Sequence, residues 1–155
     1  MIKLRLAVTS EIPAMWLLRT SAVRIACASH YSPAQIDAWS ASPPPSTYEG
    51  MIQGGAGLIA ERDARLLGYA ILNKAGAEVD AVFVDPGCAG QGVGKTLLIA
   101  LEELAAKSGL ERLQVFASLN AVGFYGAMGY SLIRNAQYAH PSGIELACAQ
   151  MGKIL

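Results

Sequence analysis

Ile2, Leu4 and Leu6 alternate with Lys3 and Arg5, the period of a half-buried strand running from Ile2 to Ala7. Thr9 and Ser10 can cap a helix whose first turn suits Glu11 and Pro13. Its apolar set, Met15, Leu18, Ala22, Ile25 and Ala26, keeps helical spacing to about Ala28, where His30-Tyr31 breaks it. Ser32-Pro33-Ala34-Gln35 is a capping-box start for a second helix that carries Ile36 and Trp39 on one side. Pro43-Pro44-Pro45 ends it, and Ser46 or Thr47 can cap a short third helix through Met51. After the Gly54–Gly57 breaker, Leu58–Glu61 and Leu66–Leu72 form a hairpin turning around Arg62 to Arg65. Glu78–Val84 is a further strand, stopped by Pro86.

A glycine-rich loop then leads into a strong helix, Val93–Lys107, with Leu97, Leu98, Leu101 and Leu104 as its buried stripe and Gly109 at its end. Leu113–Ala117 reads as a strand and Asn120–Met128 as a short helix. Tyr130–Arg134 and Ile144–Met151 read as a closing strand pair. The order is β-α-α-β-β-β-α-β-α-β-β, without linker or repeat, which predicts one α/β (α+β) domain over residues 1–155 built on a mixed sheet.

Composition narrows the functional classes. The 155 residues are 53% hydrophobic and 15% charged, enough for a full core and far from the composition of disorder. Twelve basic residues balance twelve acidic ones, so no clustered positive field predicts a nucleic-acid or anionic-membrane partner. The short mixed group Arg62-Asp63-Ala64-Arg65 reads as a solvated hairpin edge. Cys27, Cys88 and Cys148 are odd in number and widely spaced, with no CxxC, which excludes a zinc knuckle and points to a reducing compartment. Cys88 reads as a small filler rather than a nucleophile. The amphipathic N-terminus lacks the separate basic and apolar regions of a signal peptide, and no apolar run approaches the roughly 20 residues of a membrane span. The expectation is a cytoplasmic protein with no metal.

The chemistry is concentrated in Val82-Phe83-Val84-Asp85-Pro86-Gly87-Cys88-Ala89-Gly90-Gln91-Gly92-Val93-Gly94-Lys95-Thr96, which runs strand, loop, helix. Alternate glycines let backbone N–H groups point inward at a helix N-terminus, an anion cradle suited to phosphate or pyrophosphate. A P-loop is nearly matched by Ala89 through Gly94-Lys95-Thr96, but alanine replaces its first glycine. The next strand also ends in Ser118-Leu119-Asn120 rather than in an acidic residue for magnesium. The dinucleotide fingerprint fails as well, because Leu97 stands where it needs glycine.

A third pattern fits. Ala89-Gly90-Gln91-Gly92-Val93-Gly94 after Val84-Asp85-Pro86 resembles the coenzyme A signature of GNAT N-acetyltransferases, with Ala89 in place of the usual arginine or glutamine. Asn120-Ala121-Val122-Gly123-Phe124-Tyr125-Gly126-Ala127-Met128-Gly129-Tyr130 resembles the later motif of the same family, with Gly123 one place early. The two motifs stand in the family's order, and the resemblance covers about Leu58 to the C-terminus. It implies a single mixed sheet of about seven strands with helices on both faces.

What each residue does follows from that resemblance. Acetyl-CoA would lie between splayed parallel strands Glu78–Val84 and Leu113–Ala117. Phe83 and Val84 would offer backbone hydrogen bonds to its arm, and Ala89, Gly90, Gln91, Gly92, Val93, Gly94, Lys95 and Thr96 would surround its pyrophosphate. Tyr125 matches the tyrosine that protonates the departing thiolate, a plausible task for a phenol of pKa ~10. Asn120 would bind the arm or cap the short helix. Glu78, or Asp80 on the same strand face with Val82 and Val84, would take the amine proton unless water serves. His30 and Tyr31, between the first two helices, would border the acceptor. The implied activity is acetyl transfer to a primary amine of a small molecule or peptide through a ternary complex, compatible with a homodimer. The rival readings are a non-catalytic acyl-CoA sensor and a P-loop nucleotide-binding protein.

Overall fold

A computed structural model describes residues 1–155. One seven-stranded sheet, in the order β1-β2-β3-β4-β5-β7-β6, organises the chain. Strand β1 (Lys3–Leu6) is followed by helices α1 (Ile12–Ala26), α2 (Pro33–Ser40) and α3 (Thr47–Gln53). Then come β2 (Gly57–Arg62), β3 (Arg65–Asn73) and β4 (Glu78–Val84), helix α4 (Val93–Lys107), β5 (Arg112–Ser118), helix α5 (Val122–Ala127), β6 (Ser131–Ala139) and β7 (Glu145–Ile154). Every neighbouring pair is antiparallel except β4 and β5. The mixed sheet and the motif-bearing elements are those expected from the sequence; the third helix is a full two turns. No helix is long and apolar enough to cross a membrane.

The two sheet faces carry separate cores. On one, Leu97, Leu98 and Leu101 of α4 and Tyr125 of α5 pack with Ala70, Leu72, Val79 and Val115. On the other, Met15 and Leu18 of α1 and Tyr48 and Ile52 of α3 pack with Ile59, Tyr69, Ile71 and Ala81. A third cluster joins the end of α1 to α2 and β7 through Val23, Cys27, Tyr31, Ile36 and Leu146. The capping box at α2 forms as predicted: Gln35 N–H donates to Ser32 Oγ at 3.1 Å, and Ser32 N–H donates to Gln35 Oε1 at 2.9 Å.

Two details of packing differ from the periodicity. Ile25 is 66% exposed, while Arg19 and Val23 are buried. The buried stripe of α1 is Met15, Leu18, Arg19, Ala22 and Val23, a strict i, i+3, i+4 face that Ile25 falls off. The hairpin arginines are not simply solvated, since Arg62 donates to Gln91 Oε1 at 3.1 Å and Arg65 to Asp85 at 3.1 Å. Both side chains lean on the glycine loop.

Candidate active site

The loop between β4 and α4 is built to leave donors free. Asp85 closes its first turn by accepting from Gly87 N–H at 2.9 Å. Gly90 and Gly92 then adopt φ of +78° and +81°, and an added Cβ at either would meet nothing within 4 Å. The positive φ demands glycine, and the open space lets a ligand approach the backbone closely. Gly94 has a different reason to be small: its Cβ would lie 3.3 Å from the Phe124 ring. The N–H groups of Gly90, Gly92, Val93, Gly94 and Lys95 donate to no backbone carbonyl. Thr96 closes the first turn of α4, its hydroxyl donating to Gly92 O at 2.8 Å. A row of unpaired donors at a helix N-terminus is an anion site by geometry and by dipole.

From that cradle a gap runs down between β4 and β5. The two strands pair only at Glu78 and Gln114 and then diverge. The β5-facing edge of β4 up to Phe83 and Val84 therefore keeps peptide groups free, while its other edge pairs with Gly68 and Tyr69 of β3. Val115, Ala117, Ser118, Ala121 and Tyr125 line the space. Tyr125 is 5% exposed, and burial alone pushes its phenol above the ordinary range, with no hydrogen bond contributing. Its ring packs edge-on against Phe124 and Tyr130, at 5.0 and 5.4 Å between centroids. Asn120 does not cap α5, because the turn Leu119–Ala121 precedes the helix and no side-chain cap forms. Its Oδ1 is instead buried without a partner. The capping alternative thus drops out, and an acceptor is left for a ligand.

Strand alternation does not carry Glu78 and Asp80 onto the face of Val82 and Val84. A bulge intervenes: Leu72 pairs with Val79 but Ile71 with Ala81, which leaves Asp80 as the extra residue. Val79, Val82 and Val84 consequently pack towards α4, whereas Ala81 and Phe83 pack towards α1 and α3. The charge of Asp80 reaches Tyr48, Tyr69 and Tyr138 on that second face. Water reaches the Asp80 carboxyl, yet the concave wall around it raises its pKa by desolvation. Glu78 is raised by desolvation and then by the charge of Asp80. Both carboxylates line a cleft of about 470 Å³ that also receives Tyr125.

The remaining walls of this cleft come from the N-terminal helices and from the β6–β7 connection. Tyr31 belongs to it, but its hydroxyl is fully engaged, donating to Ala147 O at 2.6 Å and accepting from Leu119 N–H at 3.0 Å. It ties the helix connection to β7 and to the end of β5. His30 is exposed, its ring bonds only to Ser29 Oγ, and it is not among the lining residues. Arg19, Tyr48, Tyr138 and His140 line the cleft without having been picked out from the sequence. For Arg19 the signal was there: a charge sits on the buried stripe of α1. Tyr138, in β6, and His140, just beyond it, had none, because β6 is exposed along nearly its whole length and its extent is set by pairing with β7 rather than by alternation.

A family model described as an acetyltransferase (GNAT) domain matches residues 27–146. Among solved structures, a GCN5-related N-acetyltransferase from Rhodopseudomonas palustris superposes with a TM-score of 0.89 at 29% identity, over 99% of this chain and 95% of that one. The PaiA N-acetyltransferase of Thermoplasma acidophilum, solved with coenzyme A, gives a TM-score of 0.77 at 19% identity over 100% and 99%. The ribosomal-protein-S18-alanine N-acetyltransferase of Escherichia coli gives 0.70 at 20% identity over 99% and 94%. No curated protein matches the chain.

Proposed function

The chain belongs to the GNAT acetyltransferase family, and from that premise we propose that it moves the acetyl group of acetyl-CoA onto a primary amine by direct attack in a ternary complex. The observation that carries this reading is the gap between β4 and β5, open to an anion cradle at one end and to an acid-lined cleft along its side. A ligand with a pyrophosphate followed by an amide-bearing arm fits that path. Free N–H groups of Gly90, Gly92, Val93, Gly94 and Lys95 suit the phosphates, the bare edge of β4 suits the arm, and the orphaned Asn120 Oδ1 suits an amide N–H. Gln91, held by Arg62, and Ala89 belong to the same rim, with the hairpin arginines supplying cations where alanine supplies none. Acetyl-CoA is the cosubstrate and brings an acyl group already activated as a thioester.

The protein's own part is positioning and proton traffic. Tyr125 Oη holds a proton in the gap, in surroundings that favour its neutral form, and is assigned to protonate the leaving sulfur. An attacking amine must be neutral. Asp80 and Glu78, both raised in pKa and both in the cleft, are assigned to receive its proton directly or through water. An acceptor-side assignment for His30 has no support in its exposed position, and Tyr31 is assigned to hold the cleft wall.

The carboxylates give a pH test with a worked sign. A base of raised pKa is lost at a higher pH than an ordinary carboxylate, so the acid limb of kcat/KM should lie above the ordinary value of the residue responsible, about 3.9 for an aspartate and about 4.3 for a glutamate. Asp80→Asn should flatten that limb if Asp80 is the base, and Glu78→Gln if Glu78 is. An unaltered limb in both variants would remove the carboxylates from the mechanism. Stability should move the other way. A carboxyl whose folded pKa is raised contributes stability only at low pH and loses it as pH rises through the folded value. Neither variant can ionise, so at pH 7 both should melt at or above the wild-type temperature, as calorimetry would show.

A further inference from the structure

Arg19 lies on the buried stripe of α1, between Leu18 and Ala22, where an aliphatic side chain would pack at less cost. It is 3% exposed. Its guanidinium stacks on Trp16 at 4.1 Å from the ring centre. Nη2 donates to Trp39 O at 2.9 Å and to Ser42 Oγ at 3.2 Å, both neutral oxygens. Nη1 is buried and donates to nothing, and no carboxylate of the chain pairs with the group. A fork of donors that suits a carboxylate is therefore held half-satisfied in the wall of the acceptor cleft.

The cleft's charges are segregated. Arg19 is its cation, on the helix side, and Glu78 and Asp80 are its anions, on the strand side. His140 lies close enough to feel Arg19 and is kept towards its neutral form by burial and by that charge. Its Nδ1 is taken up by Ser142, with the backbone N–H at 3.2 Å and Oγ at 2.8 Å, so Nε2 is the ring nitrogen left for a ligand. A ligand complementary to this layout carries an ammonium, or the amine derived from it, at the strand end and an anion at the helix end.

We propose that the acceptor is a small amine that also carries a carboxylate, of the amino-acid class, and that Arg19 is the residue that recognises the carboxylate. This rests on the acetyl-transfer reading above and narrows its substrate. Binding the carboxylate at α1 turns the amine towards β4, where the acidic pair and the β4–β5 gap meet. An amine lacking the anion leaves Nη1 unpaired and loses that orientation.

The test uses the twenty common L-amino acids, each paired with its own α-carboxamide, with CoA release and N-acetylated product followed together. The carboxamide keeps the amine and side chain, removes only the anion, and is the less basic amine, so simple reactivity favours it. For the best-accepted side chain, wild-type kcat/KM should favour the acid by about tenfold or more. Arg19→Met should abolish that preference, mainly through KM, and Arg19→Lys should restore part of it. Wild-type enzyme that acetylates carboxamides as well as acids overturns the proposal and leaves acetyl transfer standing. A preference that survives in Arg19→Met overturns it too, since Arg19 would then only brace the Trp39–Ser42 turn. Acetylation of neither member of any pair overturns the proposal, whereas the reading beneath it falls only if other primary amines are refused as well.

Discussion

Tyr125→Phe should lower turnover by about 10²-fold or more, the usual worth of a positioned general acid, while acetyl-CoA affinity barely changes. The expectation follows from where the hydroxyl sits. It lies in the gap without a hydrogen bond inside the chain, so deleting it breaks nothing in the fold. The ring keeps its packing against Phe124 and Tyr130. Stability should therefore be unchanged or slightly improved. Burial also makes a pH prediction. Because the phenol is held well above its ordinary pKa, it should stay protonated across the usable range, and no basic limb below pH ~10 should belong to it. A structural tyrosine predicts the reverse pattern, some loss of stability and full turnover once folded. Wild-type turnover in Tyr125→Phe would assign the proton to another donor.

Gly92→Val should weaken coenzyme A binding by more than tenfold, or over ~1.4 kcal/mol, as read by titration calorimetry on folded protein. At φ +81° a β-branched side chain is strained, and its methyl groups would project into the open space beside the free N–H groups. Strain also lowers stability, so affinity has to be compared on protein shown to be native by circular dichroism. Gly94→Val makes a useful contrast. Gly94 has no positive φ, and its new side chain would press on Phe124, the neighbour of Tyr125. It should therefore depress turnover as well as binding. Unchanged affinity in folded Gly92→Val would move the pyrophosphate elsewhere.

The cradle and the gap were legible in the sequence because local chemistry sets them. Pro86 stops β4, glycines take the left-handed positions, and the leucine period starts α4 at the next residue. Strand β4 and helix α4 have the bounds their patterns predict. The acceptor side was less legible, and the reasons are tertiary. The bulge at Asp80 is a property of how β3 and β4 pair, and nothing in Glu78-Val79-Asp80-Ala81 announces it. It nevertheless decides which face the carboxylates occupy. Asn120 had the sequence of a cap but not its place, since it sits in the turn Leu119–Ala121, one residue ahead of the cap position of α5. His30 and Tyr31 are adjacent, yet only Tyr31 reaches the interior, because its hydroxyl finds Ala147 and Leu119 far away in the sequence. Arg19 interrupts the apolar stripe of α1, and a period built from apolar residues does not register such an exception.

Acetyl transfer itself is tested most directly in a single-turnover experiment with isotopically labelled acetyl-CoA and excess enzyme, mixed with a pooled set of amino acids and other primary amines. The account predicts that CoA is released in step with one labelled N-acetyl product, that omission of the amines stops both, and that no label is left on the protein. Coenzyme A that binds tightly but is never released as product from acetyl-CoA, with any amine, would contradict it and make the chain a sensor built on the same cradle.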